Sequence, residues 1–229
     1  MSGTYNKAII TFTKTNSSMF NIKKKNKEEQ VKISVDSIYR GHHNVTYKGI
    51  KAIRCPFDYV IYQMIIWEVQ PDLVIEIGTN VGGGALYIAD ILESIGKGVI
   101  HTIDLEINSD PCLVKNSRIK LFSGGWENYD LEQTKSFEKI LIIEDASHLY
   151  KDSLGVLNKF HSIVSKDSYF IIEDGIINEL GLEKDYHGGP LKAIKEFLPN
   201  HPEYFVDRKW CDMFGKNATF NVNGYLKKK

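Results

Sequence analysis

Residues 74–84 have the sequence Val-Ile-Glu-Ile-Gly-Thr-Asn-Val-Gly-Gly-Gly, in which an apolar segment runs into a glycine-rich turn. Pro71 ends the helical pattern before it, and the continuous apolar character predicts a buried strand over Leu73–Ile77. Apolar residues at helical spacing then predict a helix over Gly83–Ser94. Because glycine tolerates positive φ and lacks a Cβ, a ligand can lie against the backbone of such a turn. The sequence therefore predicts a nucleoside-type cofactor here.

The segments around this turn alternate between strand and helix patterns. Further strands are predicted at 98–103, 119–122, 140–143 and 169–172, and further helices at 58–69, 149–164 and 190–198. Apolar strands separated by helices form a parallel sheet that helices cover on both faces. In the tail, 204–208 and 218–226 have strand character with no room for a helix between them, so they should pair antiparallel. We predict an α/β fold: a doubly wound, mostly parallel, Rossmann-like sheet with a C-terminal antiparallel hairpin.

The composition limits the classes of partner. The chain has 229 residues, with Lys plus Arg and Asp plus Glu at 29 each and a formal net charge of zero, so no basic field favours nucleic acid or an anionic membrane. Cys55, Cys112 and Cys211 have no disulfide or metal-type spacing, which suits a reducing compartment. No apolar run approaches the ~20 residues that span a bilayer, and no secretion signal is evident. We predict a cytoplasmic protein without a membrane span.

The amino-terminal part differs from the rest. Residues 7–13 are predicted to form a short strand, and a polar, lysine-rich arm follows them. We therefore divide the chain into an N-terminal strand and basic arm at 1–38 and a main domain at 39–229. The sequence leaves open whether this arm mediates formation of a homo-oligomer.

The glycine turn and the next strand supply the predicted cofactor residues. Those of the turn are Glu76, Gly78, Thr79, Asn80, Gly82 and Gly83. Asp104 ends the following strand, 104 − 84 = 20 residues after the last glycine of the turn, where a carboxylate can bind both ribose hydroxyls. The turn lacks the Gly-x-Gly-x-x-Gly spacing of dinucleotide enzymes, which disfavours an NAD-dependent dehydrogenase.

Two later apolar strands end in the same acidic sequence, Ile-Ile-Glu-Asp, at 142–145 and 171–174. Asp145 and the pair Glu173 and Asp174 would lie ~5 Å apart if these strands are neighbours. Carboxylates this close require a proton or a cation between them, and ligation by oxygen alone favours a hard ion such as Mg²⁺. The alternative is that Glu173 and Asp174 only cap the turn that follows.

Several motifs outside the turn carry a family resemblance. They are Tyr47-x-Gly49-Ile50, Pro56-x-Asp58, Tyr62-Gln63, Gly188-Gly189-Pro190, Phe197-Leu198 and Asn223-Gly224-Tyr225-Leu226-Lys227. With the Glu-x-Gly-x-x-x-Gly-x-Gly turn, they make residues 39–229 similar to the cephalosporin hydroxylase family, whose members have the class I S-adenosylmethionine (SAM)-dependent methyltransferase fold. The resemblance implies a SAM-dependent methyltransferase domain at 39–229 and adds Ser123, Gly124, Trp126 and Asp145 to the cofactor-binding residues.

A narrower resemblance concerns the chemistry. The segment Asp145-Ala146-Ser147-His148, with Glu173 and Asp174 downstream, is similar to metal-dependent sugar O-methyltransferases that act on macrolides. It implies that Asp145, Glu173 and Asp174 bind Mg²⁺, and that His148 is the catalytic base beside Asp145. The implied function is Mg²⁺-assisted, SAM-dependent methylation of a hydroxyl on a sugar or sugar-containing small molecule.

Three alternatives stay open at this point. A hydroxylase of the same family would need two histidines and a carboxylate for iron, and the chain contains no His-x-Asp or His-x-Glu sequence. A catechol-type methyltransferase usually has an Asp-Asn pair where Glu173 and Asp174 stand. A non-catalytic scaffold with the SAM fold is the third alternative.

Overall fold

The computed structural model describes residues 30–229. The predicted strand at 7–13 and the lysine-rich arm up to residue 29 lie outside the described residues. The first described helix, α1 (Val35–His42), spans the predicted boundary between residues 38 and 39. The division into 1–38 and 39–229 therefore stays a prediction.

The remaining helices and strands alternate along the chain. They are β1 (Thr46–Tyr47), β2 (Ile50–Lys51), α2 (Pro56–Val69), β3 (Leu73–Ile77), α3 (Gly83–Ser94), β4 (Val99–Ile103), β5 (Ile119–Phe122), α4 (Gly125–Asn128), β6 (Ile140–Glu144), α5 (Tyr150–Phe160), β7 (Tyr169–Ile172), α6 (Gly189–Phe197), β8 (Tyr204–Val206), α7 (Arg208–Cys211) and β9 (Tyr225–Lys228). Short 3₁₀ turns join several of these elements.

Seven of the strands form one twisted sheet in the order β5-β4-β3-β6-β7-β9-β8. The five strands from β5 to β7 are parallel, whereas β9 runs antiparallel to both β7 and β8. The strand order reverses at β3, and in open α/β sheets the ligand crevice lies at the carboxyl ends of the strands around such a point. The predicted α/β fold with a mostly parallel sheet is confirmed.

Hydrophobic clusters cover both faces of this sheet. Side chains alternate along β3, so Val74 packs with α2 and α3 on one face, whereas Leu73 and Ile75 pack with α5 and α6 on the other. All five residues of β3 are buried. Burial on both faces explains why every residue of this strand except Glu76 is apolar. A buried carboxylate in such a strand needs partners, which points to a site around Glu76.

The tail departs from the prediction in two ways. The one-turn helix α7 lies between the last two strands, so the prediction that no helix fits there is wrong. The predicted strand at 218–226 is largely a loop, and only Tyr225–Lys228 pairs in the sheet. The reason is a buried carboxylate: Asp58 accepts hydrogen bonds from the Thr219 hydroxyl and from the Phe220 backbone N–H at 3.0 Å, which hold this segment away from the sheet edge.

Within residues 30–229, none of the helices combines the length and the apolar character that crossing a bilayer requires.

Candidate active site

The predicted site residues meet at the carboxyl ends of three neighbouring strands. Asp145 directly follows β6, Glu173 directly follows β7, and Glu76 is the second-last residue of β3. The strands β3, β6 and β7 are adjacent in the sheet, and each pair is parallel. The sheet itself therefore places these carboxylates at one edge.

Gly78 allows the turn after β3 to pass close to Asp145. A Cβ at this position would lie 1.9 Å from the carbonyl oxygen of Asp145, and the residue has a φ of +105°. The Asp145 N–H donates to the carbonyl of Ile77 at 2.8 Å, which continues the pairing of β3 and β6 past the end of the strands. Any side chain at residue 78 would push the turn and Asp145 apart.

A buried arginine that sequence reasoning missed connects these carboxylates. The Arg54 guanidinium donates from Nη2 to Glu173 Oε1 at 2.7 Å and to Asp145 Oδ2 at 3.2 Å, and from Nε to Glu173 Oε2 at 3.2 Å. The same Nη2 lies 3.8 Å from Glu76 Oε1, and only 3% of the Arg54 side chain is exposed. Such pairing is required because an isolated buried charge is strongly destabilising.

Neutral donors fix two of these carboxylates further. The Tyr62 hydroxyl donates to Glu173 Oε1 at 2.7 Å, and the Thr102 hydroxyl donates to Glu76 Oε2 at 2.7 Å. Both oxygens of Glu173 therefore accept hydrogen bonds from within the chain. Glu173 is held as part of the framework around the site.

Asp145, His148 and Asp174 form a second, more open group. One candidate ligand atom from each lies within 4.8 Å of the other two. His148 Nε2 is 3.3 Å from Asp174 Oδ2, and the exposed fractions of the two side chains are 22% and 26%. The Asp145 side chain is 20% exposed. Unlike Glu173, this group faces the crevice and is accessible to a ligand.

The backbone of this group is strained in a way that directs its side chains. His148 has a φ of +58° and Asp174 a φ of +56°, although neither is glycine. Left-handed conformations of this kind cluster at functional sites, because the surrounding structure must hold them in place. His148 Nδ1 is buried and has no hydrogen-bond partner among the described residues.

Carboxyl groups outnumber cationic groups at this edge of the sheet. Burial raises the pKa of Glu76 and of Glu144 to about 7 each. Burial, followed by the neighbouring Glu173 carboxylate, raises the pKa of Asp145 well above its usual range. Burial also raises the pKa of Glu173, although Arg54 opposes this effect. One guanidinium faces several carboxyl groups, so either protons or an additional hard cation with oxygen ligands must offset their charge.

The glycine turn is held open next to this group. Asp104 Oδ2 accepts from the N–H groups of Thr79 and Asn80 at 2.9 Å each, and Oδ1 accepts from the Leu105 N–H at 2.8 Å. These bonds fix the turn onto the end of β4. Asp104 is partly exposed and retains acceptor capacity for a ligand hydroxyl. Gly82 and Gly83 are buried where α3 begins.

A small cavity between the turn and residues 51–54 provides space for a polar group. Its volume is about 30 Å³, and its lining includes Gly78, Gly84, Arg54 and Asp145. A Cβ on Gly84 would lie 2.9 Å from Glu76 Oε1 and 3.4 Å from Arg54 Nη1, so a side chain would fill this space. Arg54 Nη1 is buried and has no partner within residues 30–229. An unpaired buried donor beside a cradle of glycines fits an anionic ligand group.

The loop predicted to complete the cofactor site lies beside Asp104. The Gly124 N–H donates to the Leu105 carbonyl at 3.0 Å, and Ser123 and Gly124 are exposed. Trp126, in α4, is half-buried against α5, where a Cβ on Gly155 would lie 2.6 Å from the indole ring. Trp126 therefore has a packing role, and its stacking on a bound ring stays a prediction.

Known proteins are similar to this chain over most of its length. A family model described as "Rhamnosyl O-methyltransferase/CmcI" matches residues 39–229. A rhamnosyl O-methyltransferase of Mycobacterium leprae (strain TN) is 28% identical over 197 residues, which cover 82% of this chain and 84% of that protein. A rhamnosyl O-methyltransferase of Mycobacterium tuberculosis (strain ATCC 25618 / H37Rv) is 31% identical over 193 residues, which cover 79% of this chain and 77% of that protein.

Solved structures share the fold. A structure of CmcI with Mg and SAM has a TM-score of 0.62 at 19% identity, over 82% of this chain and 77% of that chain. An O-methyltransferase from Bacillus cereus in complex with SAH has a TM-score of 0.53 at 14% identity, over 85% of this chain and 90% of that chain. At these identities the likeness concerns the fold alone, and the family resemblance drawn from the sequence is confirmed by the family model.

Proposed function

The chain belongs to the rhamnosyl O-methyltransferase/CmcI family, and from this premise we propose that it transfers a methyl group from SAM to a sugar hydroxyl with the assistance of Mg²⁺. The chain is an O-methyltransferase. The relatives named rhamnosyl O-methyltransferase support a rhamnosyl group, or a related sugar on a small molecule, as the acceptor. The Mg and SAM in the CmcI structure support the choice of ion and methyl donor.

The observation that carries this proposal is the open group of Asp145, His148 and Asp174 beside the glycine turn. It combines carboxylates that exceed the available positive charge with a histidine on the same crevice. A sugar hydroxyl is a poor nucleophile at neutral pH, so its methylation needs stabilisation of negative charge on oxygen and a base for the proton. In this group the carboxylates would hold Mg²⁺, which would stabilise the negative charge, and His148 would accept the proton.

The SAM-binding residues are the turn residues Glu76, Gly78, Thr79, Asn80, Gly82 and Gly83, together with Asp104, Ser123, Gly124, Trp126 and Asp145. SAM supplies the electrophilic methyl group when bound. Asp104 accepts from the ribose hydroxyls with its remaining lone pairs. Arg54 Nη1, which has no partner within residues 30–229, is the donor available to the carboxylate of the amino-acid part.

The proposed metal ligands are Asp145, Glu173 and Asp174. Carboxylate oxygens are the ligands that Mg²⁺ prefers, so these residues would hold the ion, which would lower the energy of negative charge on the acceptor oxygen. Asp145 and Asp174 are accessible from the crevice, whereas the Glu173 oxygens accept from Arg54 and Tyr62. Ligation by Glu173 therefore requires that it share its oxygens with Arg54 or give up one of these hydrogen bonds.

His148 is the proposed base for the acceptor hydroxyl. The contact of its Nε2 with Asp174 orients the ring, and a carboxylate partner favours a proton on that nitrogen. Nδ1 is buried and has no partner among the described residues, so taking the proton on that nitrogen requires the ring to turn towards the acceptor. Asp174 both orients the base and stabilises the charge that it acquires.

The family alternatives are less well supported by the site. An iron oxygenase with a facial triad needs two histidines and a carboxylate, and the described cluster at this edge contains the single histidine His148. A catalytically inactive scaffold is tested by the methyl-transfer assay, in which it would show no activity.

The test is a methyl-transfer assay with SAM and rhamnoside acceptors, together with a calorimetric titration of SAM. We expect SAM to bind, methyl transfer to occur, and EDTA to abolish the transfer until Mg²⁺ is restored. SAM binding with transfer that EDTA leaves unchanged would contradict the role of Mg²⁺. Failure to bind SAM at all would contradict the proposed function.

A further inference from the structure

A second group of metal-type side chains lies at the opposite end of the sheet. His161 begins the 3₁₀ turn that follows α5, and His201 and Glu203 lie in the connection between α6 and β8. Along β9, Tyr204 at the start of β8 pairs with Lys228, and Tyr169 at the start of β7 pairs with the neighbouring Lys227. The two strands therefore begin at the same end of the sheet. The group therefore lies where the parallel strands begin, away from the candidate active site at their carboxyl ends.

The two histidines present nitrogens to the same carboxylate oxygen. His201 Nδ1 is 3.2 Å from Glu203 Oε1, and His161 Nδ1 is 3.8 Å from the same oxygen. One candidate ligand atom from each of the three residues lies within 4.8 Å of the other two. Two ligand atoms bound tetrahedrally at about 2.1 Å from Zn²⁺ lie about 3.4 Å apart, so small side-chain rotations would bring all three into ligand positions.

Aromatic packing holds the imidazole rings in place. The His201 ring stacks on Phe197 with centroids 3.9 Å apart and an angle of 14° between the planes. The His161 ring lies 4.3 Å from the His201 ring and meets Phe197 edge-on at 5.8 Å. Rings restrained in this way lose little conformational freedom on binding an ion.

The charges around the group also suit a cation. Burial, followed by the nearby His201, lowers the pKa of His161. Burial acts to raise the pKa of Glu203, but hydrogen bonds from its own backbone N–H and from His201 together lower it. The Lys228 ammonium lies beside the group but is held by the backbone, because it donates to the carbonyls of His161, Ser162 and Val164 at 2.8–3.1 Å rather than to the Glu203 carboxylate.

We propose that His161, His201 and Glu203 bind a borderline transition-metal ion, represented by Zn²⁺, at a site separate from the candidate active site. Two imidazoles and a carboxylate form a ligand set that Zn²⁺ accepts, with a fourth position for water. The three side chains are 19–37% exposed, which leaves the fourth position open to solvent. A bound ion would link the end of α5 to the segment before β8 and stabilise this end of the fold.

The test is a calorimetric titration of Zn²⁺ into chelator-treated, untagged protein in excess Mg²⁺. His148→Ala serves as the background, since it removes the imidazole of the candidate active site and leaves the proposed site intact. We expect one Zn²⁺ per chain, and a thermal unfolding midpoint that rises with Zn²⁺. His161→Ala, His201→Ala and Glu203→Gln should each weaken Zn²⁺ binding by more than about 10-fold. Losing a residue that only supports a metal ligand already weakens binding by about 10-fold or more, and these three residues are proposed as the ligands themselves.

His43→Ala is the matched control, because His43 is exposed and lies outside the group. It should bind Zn²⁺ as tightly as the background protein does. Glu203→Gln keeps the size of the side chain, so it tests the ligand even if an alanine variant fails to fold, and circular dichroism reports folding. Absence of Zn²⁺ binding, or binding that Glu203→Gln and His161→Ala leave unchanged, would overturn the proposal.

Discussion

Asp58 and Asp145 are two aspartates near the same end of the sheet, and they differ in what satisfies their charge. Asp58 is fully buried, and its oxygens accept from the Thr219 hydroxyl, the Phe220 N–H and the Tyr225 hydroxyl, the last two at 3.0 Å. Asp145 shares Arg54 with other carboxylates, and its side chain is 20% exposed. One is enclosed by donors of its own chain, whereas the other keeps an open face.

The comparison separates a carboxylate that its own chain satisfies from one that is left open to a ligand. The donors around Asp58 come from the segment after α7, so its partners join the start of α2 to the carboxyl-terminal strand. Asp145 lies among carboxylates whose charge one guanidinium does not balance, next to a cavity at the glycine turn. An external cation or cofactor needs oxygen atoms that are not already occupied by hydrogen bonds within the chain, and Asp145 offers such oxygens.

The largest effect is expected from Arg54→Met, which tests whether Arg54 balances the carboxylates around Asp145. Removing one partner of a buried ion pair costs about 3–5 kcal/mol, so the free energy of unfolding should fall by that amount in urea denaturation. Arg54→Lys, which keeps the charge, should lose less. A variant as stable as the wild-type protein would contradict the role of Arg54, and added Mg²⁺ should restore part of the stability.

Asp145→Asn tests the comparison directly. If Asp145 binds the proposed ion, kcat/KM for methyl transfer should fall by about 10³-fold, since metal assistance contributes several kcal/mol. Asp58→Asn, corrected for the folded fraction, should keep its activity within a few-fold. Equal losses of activity in the two folded variants would show that the distinction between the two aspartates is wrong.

His148→Ala distinguishes a base from a metal ligand at the open side of Asp145. Loss of a general base typically lowers kcat by about 10²-fold or more. Affinity for Mg²⁺ should remain, because Mg²⁺ prefers oxygen ligands to imidazole. A variant that keeps its kcat but loses Mg²⁺ in calorimetry would reassign His148 as a ligand.

The smallest effect, counted per pH unit, concerns the pH dependence of stability through Asp58. Burial raises the pKa of Asp58 from 3.8 to about 7 in the folded chain. Between about pH 4 and 7 the folded state keeps a proton that the unfolded state loses, so the free energy of unfolding falls as pH rises, by at most about 1.4 kcal/mol per pH unit. Above about pH 7 this contribution is constant.

Asp58→Asn removes this titration. Its free energy of unfolding should therefore fall less steeply with pH across that window, as measured by urea denaturation at several pH values. Glu76 and Glu144, whose pKa burial also raises to about 7, contribute equally to both proteins and cancel in the difference. Parallel curves for the two proteins would contradict an elevated pKa at Asp58.

The order of strands and helices could be predicted because it depends on local patterns. The mainly apolar segments at Leu73–Ile77, Ile119–Phe122 and Tyr169–Ile172 are strands with the predicted bounds. The segment 218–224 could not be predicted, since its strand-like composition is overridden by Asp58, which is 161 residues from Thr219 in the chain. Prediction from the local sequence pattern fails where a buried carboxylate, distant in the chain, accepts hydrogen bonds from the segment and fixes its backbone.

The same limit applies to the site. The spacing of Asp145 and His148 is short and could be recognised, and the adjacency of β6 and β7 brings Asp174 to them. Arg54 lies 91 residues from Asp145 and 119 residues from Glu173, so nothing local marks it as their partner. The sequence offered one signal for a buried Arg54, namely that it is a single charged residue between Ile53 and Cys55, within the part of the chain that resembles the family.

The central claim is that carboxylates at adjacent strand ends bind a divalent ion beside the methyl donor. It is tested most directly by calorimetric titration of Mg²⁺ into the SAH-bound protein, its Asp145→Asn and Asp174→Asn variants, and Asp58→Asn as the buried-carboxylate control. We predict one Mg²⁺ site in the wild-type protein and in Asp58→Asn, and its loss in the other two variants. Absence of Mg²⁺ binding in the wild-type protein, or unchanged binding in Asp145→Asn, would contradict the claim.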